Sequence, residues 1–195
     1  SIFKERNSTM KFTHLAFTLA SIIVIFSLAA CGAAAPAPIS TIAKDLNITI
    51  EDLGSTYAMA QASEDPTALG LDASAPVNSV SLRLFSTQDL KVVTSMVINV
   101  KTIKEAEDAF ASEGFASKIT GELKNSLISS EFQEVTGKTF GDKTIMYTSD
   151  DPNMGKLYLV AFRKVNIISV LLIMGQDVTE DNAVEVIKKL EAKIK

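Results

Sequence analysis

The sequence predicts an α+β domain in which helices pack on an antiparallel β-sheet. Some segments alternate apolar and polar residues with a period of two, and others repeat apolar residues every three or four positions. In each half of the chain, two strand patterns come before one helix pattern, which favours a sheet with helices packed on it. At roughly 100–200 residues per domain, a chain of 195 residues has room for one such domain.

The first half of the chain is predicted to hold two strands and their helix. The patterns predict a short helix over residues 42–46, a brief alternating segment over 48–50 that a glycine ends, and a long loop over 61–78. Two strands over 79–86 and 92–101 and a helix over 102–114 follow. The last helix begins at Thr102, which forms a capping-box pattern with Glu105. A second helical stretch is predicted over residues 117–128.

The second half repeats this arrangement. Its patterns predict a strand over residues 139–148, a turn over 150–155, two strands over 157–164 and 166–174, and a final helix over 179–194. The strand over residues 166–174 is apolar on both faces, so we expect it at the centre of the sheet, covered on both sides. Thr179 is the expected N-cap of the last helix, whose acidic start and basic end suit the helix dipole.

An internal similarity appears at an offset of 77 residues. Residues 82–85 (Leu-Arg-Leu-Phe) align with residues 159–162 (Leu-Val-Ala-Phe), and Ala106 aligns with Ala183. The alignment is compatible with a β-β-α duplication. The ordinary patterning of strands and helices explains the same matches, so both interpretations stay open.

Composition excludes several kinds of site. His14 and Cys31 are the single His and the single Cys. Residues 32–195 therefore cannot form an internal disulfide, a Cys- or His-ligated metal site, or a Ser-His-Asp or Cys-His catalytic group. Residues 1–30 contain three basic residues and one acidic residue, so residues 31–195 keep 16 basic and 22 acidic residues and a net charge of −6. This charge disfavours binding to nucleic acid or electrostatic attraction to anionic lipid.

The amino-terminal segment has the pattern of a secretory signal. Met10 is the expected start, because residues 1–9 contain no Met, and a basic residue, Lys11, follows it. An apolar run then extends over residues 15–30 and ends in small residues. Its last residues and the next one, Leu28-Ala29-Ala30-Cys31, resemble the lipobox of bacterial lipoproteins at all four positions.

This resemblance implies that residues 1–30 are a signal peptide and that Cys31 carries a diacylglyceryl group after cleavage. Two or three acyl chains, at about 0.8 kcal/mol per buried CH₂, anchor a protein stably at a membrane. The expected location is the cell membrane, lipid-anchored on the extracytoplasmic side. The alternatives are an uncleaved span, for which 16 residues fall short of the roughly 20 that a bilayer needs, and a secretion signal with a chance Cys. Residues 31–40, uncharged and with two prolines, predict a flexible spacer, and residues 41–195 the single domain.

One candidate ligand site lies in the predicted hairpin near residue 165. Phe162-Arg163-Lys164-Val165-Asn166 resembles a hairpin of exported α+β lipoproteins of the PsbP/Mog1-like and mycobacterial LpqN-like kind, although Val165 replaces the usual Gly. The resemblance implies a binding or assembly module. Arg163, Lys164 and Asn166 would then hold an anionic ligand or a partner carboxylate. The alternative is that the charges are solvated and end an otherwise aggregation-prone hairpin.

No catalytic residue, metal ligand or cofactor is indicated by the sequence. Asp151, Asn153 and Gly155 partly match the start of a calcium loop, but the later carboxylate is missing and a tight turn explains the same residues. We therefore expect a membrane-anchored, non-catalytic binding or assembly module, whose partner is an unknown small molecule, lipid or envelope protein. The alternatives are a hydrolase or transferase that uses a carboxylate or Ser, and a passive surface protein.

Overall fold

The computed structural model describes residues 36–69, 71, 75–111, 114, 118, 120–122 and 131–195. The chain divides into two units, Ser1–Ala37 and Pro38–Lys195, and the secondary structure described below belongs to the second. Cys31 lies outside the described residues, as does most of the helix expected over residues 117–128. Within the described ranges, no helix is long and apolar enough to cross a membrane.

Seven strands, four α-helices and one short 3₁₀ helix have both ends within the described part of the second unit, where residues 118 and 120–122 are helical as well. In chain order they are α1 (Ala43–Leu46), α2 (Ile50–Leu53), β1 (Ala58–Ser63), the 3₁₀ helix (Pro66–Leu69), β2 (Val77–Ser86), β3 (Val92–Val100), α3 (Ile103–Ala109), β4 (Gln133–Glu134), β5 (Lys143–Asp151), β6 (Gly155–Lys164), β7 (Ile167–Gly175) and α4 (Glu180–Lys193). This content confirms the predicted α+β class.

The strands form one antiparallel sheet in the order β1-β2-β3-β7-β6-β5-β4. The central position of β7 confirms the expectation from its two apolar faces. Its register with β3 joins the two halves of the chain, pairing Val92 with Met174 at one end and Asn99 with Ile167 at the other. Strand β7 therefore depends on packing against both of its faces.

Helices cover the sheet on both sides. We call the side that carries Phe162 and Leu171 the front face and the side that carries Leu159 and Ile168 the back face. Buried residues of α1 and α4 pack on the front face: Ala43, Leu46, Ala183, Ile187 and Leu190. Ala106 and Ala109 of α3 pack on the back face. Side chains at i and i+2 of each strand point to the same side, so every central strand feeds both cores.

Both halves of the chain do contain the strand-strand-helix order suggested by the internal similarity. However, α3 covers the back face and α4 covers the front face. Because β3 and β7 are antiparallel neighbours, the two-fold axis that exchanges them is perpendicular to the sheet and keeps each face on its own side. A duplication that included the helices would therefore place both helices on one face, and the structure does not.

Several boundaries differ from those expected. The helix expected to reach Gly114 ends at Ala109. The predicted loop over residues 61–78 contains the end of β1 and the start of β2, and β5 begins at Lys143, later than expected. Strand β1 was missed because its small, exposed residues carry no apolar alternation, and its pairing with β2 is what makes it a strand. The alternating residues 48–50 enter helix α2, where the Asp52 carboxylate accepts a hydrogen bond from the Thr49 N–H at 2.8 Å.

Two buried asparagines fix the place where the chain enters the domain. Asn166 is fully buried; its Oδ1 accepts from the Ile39 N–H at 2.6 Å, and its Nδ2 donates to the Val100 carbonyl at 2.8 Å. Asn99 donates from Nδ2 to the carbonyl oxygens of Ile39 and Thr41 at 3.0 and 2.8 Å. The two side chains are also joined, since Asn166 Nδ2 donates to Asn99 Oδ1 at 2.9 Å. We call Asn99 and Asn166 the amide clamp.

A third buried asparagine continues this polar contact along the front face. Asn47 Nδ2 donates to the carbonyls of Ser81 and Ser95, at 3.0 and 3.2 Å, and the Ser95 hydroxyl donates back to Asn47 Oδ1 at 2.6 Å. Polar groups buried in this way specify one arrangement, because any displacement leaves donors and acceptors unpaired. The segment from Ile39 to Ile48 is thus held on the sheet by directional bonds as well as by apolar packing.

We predict that Asn166→Ala lowers the free energy of unfolding by about 1–3 kcal/mol, because it leaves the Ile39 N–H without its acceptor and removes the shorter of two amide bonds to the Val100 carbonyl. Urea unfolding measures the change. Asn153→Ala, at an exposed position of the β5–β6 turn, is the control and should stay within about 0.5 kcal/mol of wild type. Equal losses in the two variants would contradict the clamp.

Candidate functional site

The structure separates the three residues of the candidate ligand site. Arg163 and Lys164 are neighbours on β6, so their side chains point to opposite faces of the sheet. Lys164 lies on the front face, where its Nζ donates to the Glu191 carbonyl of α4 at 3.3 Å. Arg163 lies on the back face, 3.7 Å from Glu107 of α3. They do not form one anion site, and ligand binding by either alone stays a prediction.

Arg163 supports the turn between β6 and β7. Its side chain is only 12% exposed, and its Nη1 donates to the Val165 carbonyl at 3.2 Å and lies 3.6 Å from the Asp142 carboxylate. Val165 has a φ of 56°, a left-handed conformation that is strained for a β-branched residue. The Asp142 carboxylate also accepts from the Val165 N–H at 2.7 Å. Asp142 and Arg163 together hold a turn that Gly would form without strain.

Asn166 is a structural residue in this fold. Its relative exposure is 0%, and both polar atoms of its amide are used in the amide clamp. It therefore presents nothing to a ligand on the surface, which corrects the expectation from the sequence.

The acidic loop between β5 and β6 is a tight turn, as the sequence favoured. Asp151 Oδ1 accepts from the backbone N–H groups of Asn153 and Met154 at 2.8 and 2.9 Å. The lone pairs that a cation would need are directed at the turn itself. In the described ranges, no three His, Cys, Asp or Glu side chains are grouped in a way that could hold a metal ion.

A pocket of about 290 Å³ lies at the end of the sheet away from the amide clamp. Strand β7 runs from the clamp towards it, and the seven residue steps from Asn166 to Ile173, at roughly 3.3 Å each, place the two about 23 Å apart. Apolar side chains form its floor and polar ones its rim: Ile173, Val178 and Val186 below; Tyr57, Thr87, Lys91, Asp177 and Asn182 above. We call it the distal pocket.

One ion pair and one hydrogen bond between α2 and α4 hold one wall of the distal pocket. The Asp52 carboxylate lies 2.5 Å from Lys193 Nζ, and Lys189 Nζ donates to the Asp52 carbonyl at 2.9 Å. Partial burial raises the pKa of Asp52, but hydrogen bonds from Lys193 and Thr49 outweigh it, and the net pKa lies below its usual value. This carboxylate is therefore ionised at neutral pH and ties the two helices together.

The remaining groups of the distal pocket suit binding better than proton transfer. Burial raises the pKa of Tyr57, so its hydroxyl stays protonated and available to donate a hydrogen bond. The Thr87 hydroxyl bonds to Asp89 and lowers the pKa of that carboxyl, the opposite of what a general acid needs. An apolar floor under a polar rim fits a small ligand that carries both apolar and hydrogen-bonding groups.

Sequence reasoning did not find this pocket. Its walls come from α2, the β2–β3 turn, the end of β7 and α4, which are far apart in the chain. Tyr57 lines this pocket and also packs against the front-face core. The amide clamp had a detectable signal, because Asn99 interrupts the apolar run from Met96 to Val100.

No protein-family model and no curated protein matches this chain. Among solved structures, it is similar to the extracellular domain of PknH from Mycobacterium tuberculosis, with a TM-score of 0.54 and 13% sequence identity. The match covers 81% of this chain and 97% of that domain. At this identity the likeness shows a shared fold.

We predict that Asp52→Asn lowers the free energy of unfolding at pH 7, where the wild-type carboxylate is ionised and paired. Because the folded-state pKa of Asp52 is lowered, its contribution is complete above the unfolded-state pKa and is lost as the pH falls through the folded-state pKa. Urea unfolding of both proteins should therefore show a difference at pH 7 that shrinks below about pH 4. A difference that is constant with pH would contradict this role.

Proposed function

We propose that this protein is a lipoprotein anchored through Cys31 on the extracytoplasmic side of a bacterial membrane, and that its domain is a non-catalytic binding or assembly module. The observation that carries this proposal is the order of three features along the chain. The lipobox ends at Cys31, an uncharged spacer follows, and the amide clamp fixes the chain at Ile39.

The length of the spacer supports this arrangement. Ile39 is eight residues after Cys31, and a fully extended chain covers at most about 3.6 Å per residue, so the anchor and the clamp are within about 29 Å of each other. Asn166 bonds to both backbone polar groups of Ile39, at 2.6 and 3.1 Å, so the chain is fixed to the domain directly after the spacer. Such an attachment suits a domain held permanently at a surface.

Three features favour binding over catalysis. The distal pocket offers an apolar floor with hydrogen-bonding groups around it. The pKa values of Asp52 and Asp89 at this pocket are both below their usual values. Residues 32–195 contain no His and no Cys to serve as base or nucleophile. The likeness to the fold of an extracellular domain is compatible with the proposed extracytoplasmic location.

The anchor is tested with the full chain in a bacterial host given radiolabelled palmitate. We expect wild type to incorporate label and to accumulate unprocessed when globomycin blocks lipoprotein signal peptidase. Cys31→Ser should lose the label and the membrane association, since the thiol is the site of acylation. A Cys31→Ser protein that remains labelled and membrane-bound would refute the anchor.

The distal pocket is tested by filling it. Val186 is partly buried on α4 and lines the pocket, so Val186→Trp should occupy part of its volume. A thermal-shift screen of small polar and amphipathic molecules should find compounds that raise the Tm of wild type and not of Val186→Trp. Leu90→Trp, at a 79% exposed position, is the matched control and should respond as wild type does. Identical responses from Val186→Trp and wild type would exclude this pocket as the site.

A further inference from the structure

A second concave surface lies at the end of the sheet where the spacer enters the domain. It has a volume of about 480 Å³ and combines apolar side chains with two lysines: Ile42, Pro66, Ala75, Val77, Lys44 and Lys101. Ile42 is 50% exposed, although it is a large aliphatic residue. We call these six residues the spacer-side patch.

The amide clamp fixes this patch relative to the spacer. Asn99 Nδ2 donates to the carbonyls of Ile39 and Thr41, so the backbone is held up to the residue before Ile42. At most about 29 Å of extended chain separates Cys31 from Ile39. Whatever surface receives the acyl chains of Cys31 is therefore within reach of Ile42.

We propose that the spacer-side patch rests on the bilayer that holds the anchor, with Ile42 in the interfacial region and the two lysines at the level of the phosphates. The proposal depends on the lipid anchor of the proposed function. Its occupant is a lipid surface because the short spacer keeps that surface within reach of the patch, and because an exposed aliphatic residue beside lysines matches an acyl–headgroup boundary.

The charges of the patch make this contact mainly apolar. Lys44 is paired with Glu64 at 2.8 Å, which leaves Lys101 as the one excess positive charge among the groups that line this surface and are described here. A single lysine contributes little attraction to anionic lipid, and the domain as a whole is acidic. We therefore expect similar contact on zwitterionic and on anionic bilayers.

Because the lipid anchor keeps the domain near the bilayer, even a weak contact between the spacer-side patch and the lipid is enough to orient the domain. A short flexible linker gives an effective concentration in the millimolar range, so a dissociation constant of about a millimolar is sufficient for the patch once Cys31 is acylated. The contact turns a freely rotating domain into one with a fixed orientation. The distal pocket, at the other end of β7, then faces away from the membrane.

The full-length lipidated chain in phosphatidylcholine vesicles tests this orientation. The chain contains no Trp, so Ile42→Trp and Leu90→Trp each provide a single fluorophore, at the patch and at the opposite end of the sheet. Lipids brominated near the headgroup end of the acyl chain quench an indole that enters the interface. We expect quenching at position 42 to exceed that at position 90 by at least about threefold, with and without anionic lipid.

A second reporter separates the patch from the affinity of indole for interfaces. Pro66→Trp leaves Ile42 in place and removes no backbone donor, because Pro has none. Its indole should be quenched in the same vesicles. Adding Ile42→Asp should reduce that quenching at least about twofold, because a carboxylate resists entry into the interface.

The outcomes distinguish this inference from the proposed function. Mass spectrometry of the amino terminus reports acylation; an unmodified Cys31 overturns the proposed function and the inference with it. Acylated protein with equal quenching at positions 42 and 90 overturns the inference alone. If the indole at position 42 is shielded only when a second envelope protein is added, the patch binds protein, and the lipid contact is likewise overturned.

Discussion

The pairing of β3 with β7 is the contact on which the rest of this structure depends. It joins the two halves of the chain and places the most apolar strand in the middle of the sheet, where both of its faces can be covered. Leu171 turns to the front face under α4, and Ile168 turns to the back face towards α3. Without this pair the second half of the chain would keep α4 on the front face of β7 but would lose α3 from its back face.

The same pairing creates the amide clamp. Asn99 and Asn166 lie at the same end of β3 and β7, and together they present donors and acceptors to Ile39 in the interior of the protein. Buried amides are tolerated only when they are satisfied, so the incoming chain is needed to complete them. The segment that joins the domain to its spacer is therefore part of the fold.

The two ends of the sheet consequently have different surroundings. The clamp end receives the spacer and presents the aliphatic surface around Ile42, whereas the distal end is built from turns and helix starts and contains the distal pocket. An anchored protein with this layout would keep its pocket away from the bilayer. The separation follows from the length of β7 and needs no moving part.

The amino-acid sequence was enough to predict the class of fold, the central position of β7, the N-caps at Thr102 and Thr179, and the turn at Asp151, because periodicity, capping and turn formation act over a few neighbouring residues. It also supplied the lipobox hypothesis. The opposite orientations of Arg163 and Lys164, the burial of Asn166 and the pairing of β1 were visible only in the folded structure. These outcomes depend on which distant segments meet, and no local pattern records that pairing.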